Sequence, residues 1–417
     1  MAQLSADSFA FGGDLMSVDD GVAMLAARVR AVEGVETVVL PEADGRVLAS
    51  PIVAPVDLPP CDNSAVDGYA VRFDDLLPGL ETALPVEGRL AAGMAALAPI
   101  APGTAVRIFT GAPMPDGADT VYMQEDCRLD GSSVLLPAGL KRGANRRLRG
   151  EDAPRGETVL AAGRRLTPQD VALLAALGLR EVPVRRRMRV AVFSTGNEVT
   201  EPGAVLRAGA LYDSNRFVLQ ALLRRLGAEV SDLGILPDSK DAVASAVRAA
   251  AAGHDLVVTS GGVSTGEEDH VRAALEGVGS LVFWRLAIKP GRPVAMGVVA
   301  GTPVIGLPGN PVAVFVTFAH VVRPLVAALA GEAYSPPPAL PVVADFAYRK
   351  KEGRREYVRV ALGRDGQGRV VARKHPREGA GIITSLTETD GLVELPEAIT
   401  SVAPGDVVGF LSYAVLR

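Results

Sequence analysis

Strand–helix alternation between residues 188 and 330 predicts an α/β fold built on a doubly wound, mostly parallel sheet. Short apolar runs such as MRVAVFST (188–195), EVSDLGIL (229–236), DLVV (255–258) and LVFWRLAI (281–288) suit strands buried on both faces. PVAMGVV (293–299) and TPVIGLP (302–308) add two more, and helix-length segments lie at 214–226, 239–252, 268–277 and 311–330. Polar motifs then fall together at the carboxyl ends of the strands: STGNE (194–198), PDS (237–239), TSGGVSTGEED (259–269) and KPGRP (289–293). Ligands of open α/β sheets bind at that edge. The flanking sequence has short strands and proline or glycine turns instead, so the chain reads as multidomain.

Taken in order, residues 17–31 form the first helix, with Ser17 as N-cap and Asp20 completing an acidic capping box. Residues 37–58 carry strand and turn signals up to PVDLPP (55–60). CDNSAVDGYAVR (61–72) is a polar loop leading into a strand near Tyr69, and its Asp67 is more polar than a simple turn needs. Residues 83–108 read as short strands, followed by FTGAPMPDGADTVYMQED (109–126), where Thr110 alone reads as a buried loop residue. In NRRLRGED (145–152), Asp152 and its neighbours suit surface ion pairing. A second helix at 167–179 is capped by Thr167, starts at Pro168 and ends at Gly178; it is expected to pair with the first helix. The expected division is a linking N-terminal domain (1–53 plus 146–184), an inserted small β-domain (54–145), an α/β domain (185–331) and a C-terminal β-domain (332–417) that begins with the proline linker SPPPALP (335–341). RKKEGRREYVR (349–359) reads as a solvated basic face.

TSGGVSTGEED is the stretch with most chemistry. Gly261 and Gly262 allow a tight turn and close backbone approach, and the helix that follows aims free N–H groups at one spot, with Ser264 beside it. Glu267, Glu268 and Asp269 come next. Carboxylates beside an anion-binding turn need a cation between them, and Mg2+ with a phosphate is the usual answer. The same edge offers Glu198 and Asp238 as hard oxygen ligands and Lys289 and Arg292 as cations. GLPGNPVAVFV (306–316) adds a second glycine turn with Pro308 and Asn310 at a helix start, a further candidate anion site. This set suits phosphoryl or nucleotidyl chemistry assisted by Mg2+. The chain carries no P-loop, dinucleotide or nucleophile-elbow motif.

Composition narrows the partners. The chain has 417 residues, 48% hydrophobic and 22% charged, with a net charge of −5. Without a long basic run, and with 5% aromatics, a nucleic-acid partner is not expected. The segment 311–330 is interrupted by His320, Arg323 and Pro324, so it reads as a buried helix and no membrane span is expected. Cys61 and Cys127 read as packing residues, and an acidic N-terminus without a basic flank is unlike a signal peptide; a cytoplasmic setting is expected.

DNSAVDGYAVR, FTGAPMPDGADTVYMQED, RGED, STGNE, TSGGVSTGEED, LAIKPGRP and GLPGNPV, in this order, resemble the molybdopterin molybdenumtransferase family of MoeA type, similar to the E-domain of gephyrin. The resemblance runs from about residue 15 to the C-terminus. It implies insertion of molybdate into adenylylated molybdopterin, with Mg2+-dependent cleavage of the adenylate to give molybdenum cofactor and AMP. It implies a homodimer whose cleft is completed by the partner's inserted domain, and transient contact with molybdopterin adenylyltransferase and molybdoenzyme maturation factors. By position, Asp67, Thr110, Asp152, Asp238 and Lys289 match catalytic residues, and Glu198 with Asp269 are the metal pair. Gly261, Gly262, Ser264, Lys289, Arg292, Pro308, Asn310, Arg354 and Ser385 match substrate-binding positions. Arg355, Arg359 and Thr384 are alternatives for the C-terminal oxyanion contacts. The other functions in view are a molybdopterin adenylyltransferase and a non-catalytic scaffold.

Overall fold

The computed structural model describes residues 16–95, 98–262 and 270–416. Its α/β region is a six-stranded sheet in the order Glu229–Leu236, Arg189–Thr195, Leu256–Ser260, Thr302–Leu307, Pro293–Val299, Ser280–Arg285. The first four strands are parallel. The last two are joined antiparallel, which the short turns around them require. Alternation along the strands explains the double winding. Val190 and Val192 pack with helices Asn215–Arg225 and Pro311–Thr317 on one face. Ala191 and Phe193 pack with Lys240–Gly253 and His270–Val278 on the other. The apolar run after Pro311 is one buried rod: Pro311–Thr317, a π-helical turn Phe318–Val322, then Arg323–Leu329. It is long and apolar enough to cross a membrane, yet 83% of its most apolar window lies inside the protein, as a core helix does.

The inserted region forms its own six-stranded sheet, from Thr120–Met123 through Gly68–Val71 and Ala105–Ile108 to Arg128–Asp130. Chain on either side of it is stitched together by antiparallel pairs, Val35–Val39 with Glu181–Arg185 and Ile52–Val53 with Thr158–Leu160. The first helix is Val18–Arg28, with Ser17 Oγ accepting the Asp20 N–H at 3.0 Å. The second, Pro168–Ala176, has the Thr167–Asp170 capping box. The expected pairing of these two helices is not found. Val18 packs with Phe318 and Leu325 of the long rod, whereas Leu174 is buried with Val38, Leu48 and Val184. The antiparallel strand pairs hold the linking region together, so the first helix is free to cover the α/β core.

The C-terminal strands close into a barrel, because Arg355–Arg364 pairs with both Val370–Lys374 and Gly391–Leu395. One further strand joins its edge from outside. Ile288–Lys289, expected to end an α/β strand, leaves that sheet and runs parallel to the start of Arg355–Arg364, with Lys289 opposite Glu356. The two domains are therefore joined by backbone pairing beside the polar strand ends.

Candidate active site

A cleft of about 550 Å³ lies between the carboxyl ends of the parallel strands and the barrel. Turns make its α/β wall. Gly261 and Gly262 have φ of +92° and +66°, the left-handed region that favours glycine. A β-carbon on Gly261 would lie 2.5 Å from the Thr195 carbonyl oxygen, and one on Gly262 would lie 2.4 Å from Val271. Pro308 and Asn310 continue the wall. Asn215, which sequence reading did not single out, ties these turns together: its Nδ2 donates to Ser260 Oγ at 2.9 Å and to the Gly309 carbonyl at 2.7 Å.

Glu198 shares this wall. Its carboxylate folds back over Gly196, 2.8 Å from where a β-carbon would stand, so the STGNE glycine makes room for it. Among the described residues it has no ion-pair partner. Asp238, on the neighbouring strand end, accepts from Thr195 Oγ1 at 3.1 Å. Ser264 and Asp269 lie outside the described residues. Among the described residues, no group of three or more His, Cys, Asp or Glu forms a metal cage. An unpaired carboxylate facing a cleft does fit Mg2+, which takes one or two carboxylates and fills its shell with water and substrate phosphate.

The barrel supplies the cations. Along Arg355–Arg364, Val358 and Val360 pack in the barrel core, while Tyr357 and Arg359 turn toward the α/β domain. Arg359 is 8% exposed and, among the described residues, makes no ion pair with a carboxylate. Its Nη1 donates to the Gly379 carbonyl and to Ser385 Oγ, both at 2.9 Å, and its Nη2 to the carbonyls of Glu378 and Arg377 at 2.6 and 3.3 Å. Burial pulls this guanidinium below its usual range. Among the described residues its Nε–H has no partner, and its charge, opposed only in part by nearby Glu378, borders the cleft. Lys289 lines the same cleft, with Lys374 and His375 beyond it. Tyr348 stands between the lysines, 5.7 Å from each ammonium to its ring centre.

Four expectations need correction. Arg354 is turned away from the cleft and locked on Glu356, at 3.0 and 2.5 Å. Arg359, one of the alternatives, takes its place on the cleft wall; Arg355 is tied to Asp19 and Glu397 instead. Ser385 is fully buried, so its hydroxyl supports Arg359 and does not face the cleft. The basic stretch 349–359 is a solvated face only in its first part: Arg349, Lys351 and Glu352 are exposed, whereas Glu356 and Tyr357 are 1% and 4% exposed. The helix start at Pro311 is also less open than expected, since the Val312 N–H is taken by the Ala380 carbonyl at 3.0 Å.

The other expected residues sit apart from this cleft. Asp67 and Thr110 are bound to each other on the inserted sheet. Thr110, through its backbone N–H and then its hydroxyl, holds the Asp67 carboxyl below the usual range, and Arg107 adds to the effect. Asp152 is exposed on the linking segment, and Arg292 is exposed beyond the lysine turn.

Comparison with known proteins identifies the family. Residues 16–178 match the MoeA N-terminal region (domain I and II), 191–328 a probable molybdopterin binding domain, and 341–413 the MoeA C-terminal region (domain IV). The chain is 40% identical to a molybdopterin molybdenumtransferase of Haemophilus influenzae, covering 88% of this chain and 91% of that one. It is 36% identical to molybdopterin molybdenumtransferase 2 of Mycobacterium tuberculosis, covering 94% and 98%. The crystal structure of a molybdopterin biosynthesis MoeA protein from Pyrococcus horikoshii superposes with a TM-score of 0.81 at 30% identity, covering 96% and 100%. Matched along nearly its whole length, the chain belongs to the molybdopterin molybdenumtransferase family and is a transferase of molybdenum cofactor biosynthesis.

Proposed function

We propose that this cleft takes adenylylated molybdopterin and molybdate, releases AMP and yields molybdenum cofactor. The observation that carries the reading is the opposition of two walls: glycine turns with the unpaired Glu198 on one side, Lys289 and Arg359 on the other. Molybdate is a dianion, and Lys289 Nζ and Arg359 Nε–H supply charge-assisted hydrogen bonds to its oxygens. The glycine turns let phosphate oxygens approach backbone N–H groups. Glu198 of STGNE, with Asp269 of TSGGVSTGEED, would hold Mg2+, which withdraws charge from a phosphate whose bond is breaking. Asp238 keeps the Thr195 side chain in place behind that carboxylate.

Asp67 and Thr110 enter this reading through a second copy of the chain. They sit on the inserted sheet and do not line the cleft of their own chain, so a homodimer in which each inserted domain completes the partner's cleft gives them a role. We further place the reaction in the cytoplasm, with transient contacts to the adenylyltransferase that supplies the substrate and the maturation factors that take the product. The test is a single-turnover assay with adenylylated molybdopterin and Mg2+. AMP release should depend on molybdate and fall sharply in Glu198→Gln. Molybdate-independent release, or adenylate made from ATP and free molybdopterin, overturns the reading.

A further inference from the structure

The strand pair that joins the two domains carries a buried carboxylate that no substrate reaches. Glu356 stands opposite Lys289 in the register and is 1% exposed. Its Oε2 accepts from Lys289 Nζ at 3.1 Å and from Tyr348 Oη at 2.8 Å. Its Oε1 accepts both Arg354 contacts. Tyr348 Oη also accepts from Lys289 at 3.2 Å. We propose that Glu356 is a positioning residue for the transfer reaction, fixing the Lys289 ammonium at the cleft wall through this contact and through Tyr348. The inference rests on the reading that Lys289 meets an anionic group of the substrate.

Two features favour a positioning role over simple charge balance. A lysine has four rotatable side-chain bonds, and an ammonium left on such a stem does not stay at one place. Here the strand register fixes its root and two oxygens fix its head. Lys289 also stays charged. Burial works against the ammonium, but the Tyr348 and Glu356 contacts outweigh it and leave its pKa above the usual value. The carboxyl responds in the opposite sense: burial raises it, and Tyr348, Arg354 and Lys289 together leave it below its usual range. Glu378 and Lys374 are the other charges near this lysine.

Glu356→Gln is the informative change. An amide has one acceptor oxygen, so whichever way it turns, either Arg354 or the Lys289–Tyr348 pair faces an N–H group. Competitive acylation of the intact protein, read at Lys289 by mass spectrometry across pH, reports the free amine directly. A fall of one pKa unit makes that amine about tenfold more abundant at a fixed pH. We expect faster Lys289 labelling in Glu356→Gln. We also expect a higher molybdate concentration for half-maximal rate, with a smaller change in maximal rate. Unchanged labelling, or faster labelling with unchanged molybdate dependence, overturns the proposal. Lys289→Met separates the two ideas: if that variant keeps full activity the reading of Lys289 itself fails, whereas its loss alongside an unaffected Glu356→Gln condemns only the positioning role. Tyr348→Phe makes the same test if Glu356→Gln does not fold. It should shift labelling the same way by less, and no shift counts against the proposal.

Discussion

The Thr110 hydroxyl and the Thr110 backbone N–H both donate to one oxygen of Asp67, at 2.7 and 2.8 Å. Two loops that are 43 residues apart in the chain are thereby locked at the end of strand Gly68–Val71. Glycine at 68 is part of the device. A β-carbon there would lie 1.7 Å from the Tyr122 carbonyl oxygen of the neighbouring strand. The pair is thus held together as an ionised unit on the inserted sheet.

If that unit serves the cleft of a second copy, two defective proteins should repair each other. Mixing Asp67→Ala with Glu198→Ala subunits leaves one heterodimer cleft with both residues intact. Random exchange makes half the dimers mixed, each with one working cleft, so activity should return to about one quarter of wild type. Native mass spectrometry would verify exchange. Heterodimers with no activity would sink the shared site.

Arg359 and Arg354 should separate cleanly. Arg359 lines the cleft with only Glu378 nearby to oppose its charge, whereas the charge of Arg354 is spent on Glu356. Losing one charge-assisted contact costs about 1.5–3 kcal/mol, so Arg359→Ala should raise half-saturating molybdate roughly tenfold to a hundredfold. Arg354→Ala should leave it nearly unchanged. Arg359→Ala also takes the guanidinium from the Glu378 carbonyl and from Ser385 Oγ, so a lowered Tm should accompany it. Molybdate titration of both variants decides, and equal half-saturation would remove Arg359 from the oxyanion site.

The α/β part of this architecture was legible because its signals are local. Apolar runs with helical spacers at 188–330 became strands and helices at nearly those bounds, and the motifs at strand ends became one wall of the cleft. The barrel wall was harder. Arg354, Arg355 and Arg359 are alike in sequence; the pleat sets Arg354 apart from the other two, and only the tertiary partners Asp19 and Glu397 take Arg355 out of the cleft. Ser385 has a hydroxyl in the expected motif, but its burial against Arg359 is tertiary information. The strand switch at Ile288–Lys289 left no mark in composition either. It follows from the pairing with Arg355–Glu356, residues far away in the chain.

Gly262 offers a test of the wall that was legible. Its φ of +66° is strained for other residues, and a β-carbon would lie 2.4 Å from Val271. Left-handed backbone alone costs an alanine about 1–2 kcal/mol, and the clash adds to it. Gly262→Ala should lower Tm and weaken binding of adenylylated molybdopterin, while Gly301→Ala, with φ of +90° but open space, should lower Tm alone. Equal substrate binding in the two variants would mean that the turn at 261–262 does not hold the substrate.

The last prediction concerns acid stability and lies behind the cleft. His320, on the π-helical turn, stacks on Tyr357 with ring centres 4.0 Å apart, and it borders a second cavity of about 360 Å³. Its Nε2 is buried without a partner. Burial, reinforced by Arg355 and Arg323 and only partly opposed by Asp19, pushes its pKa down from 6.5 to about 3. The folded protein therefore keeps this ring neutral at a pH where the unfolded chain protonates it. Above pH 6.5 both states are neutral and the residue adds no pH dependence. As pH falls from there toward about 3, the unfolded state binds one more proton and stability is lost. His320→Phe keeps a ring against Tyr357 and removes the titration. Its unfolding free energy, followed between pH 7 and 4, should fall less steeply than that of wild type. The difference in slope should approach one proton, about 1.4 kcal/mol per pH unit. Parallel curves for the two proteins would show that His320 is not held neutral by the fold.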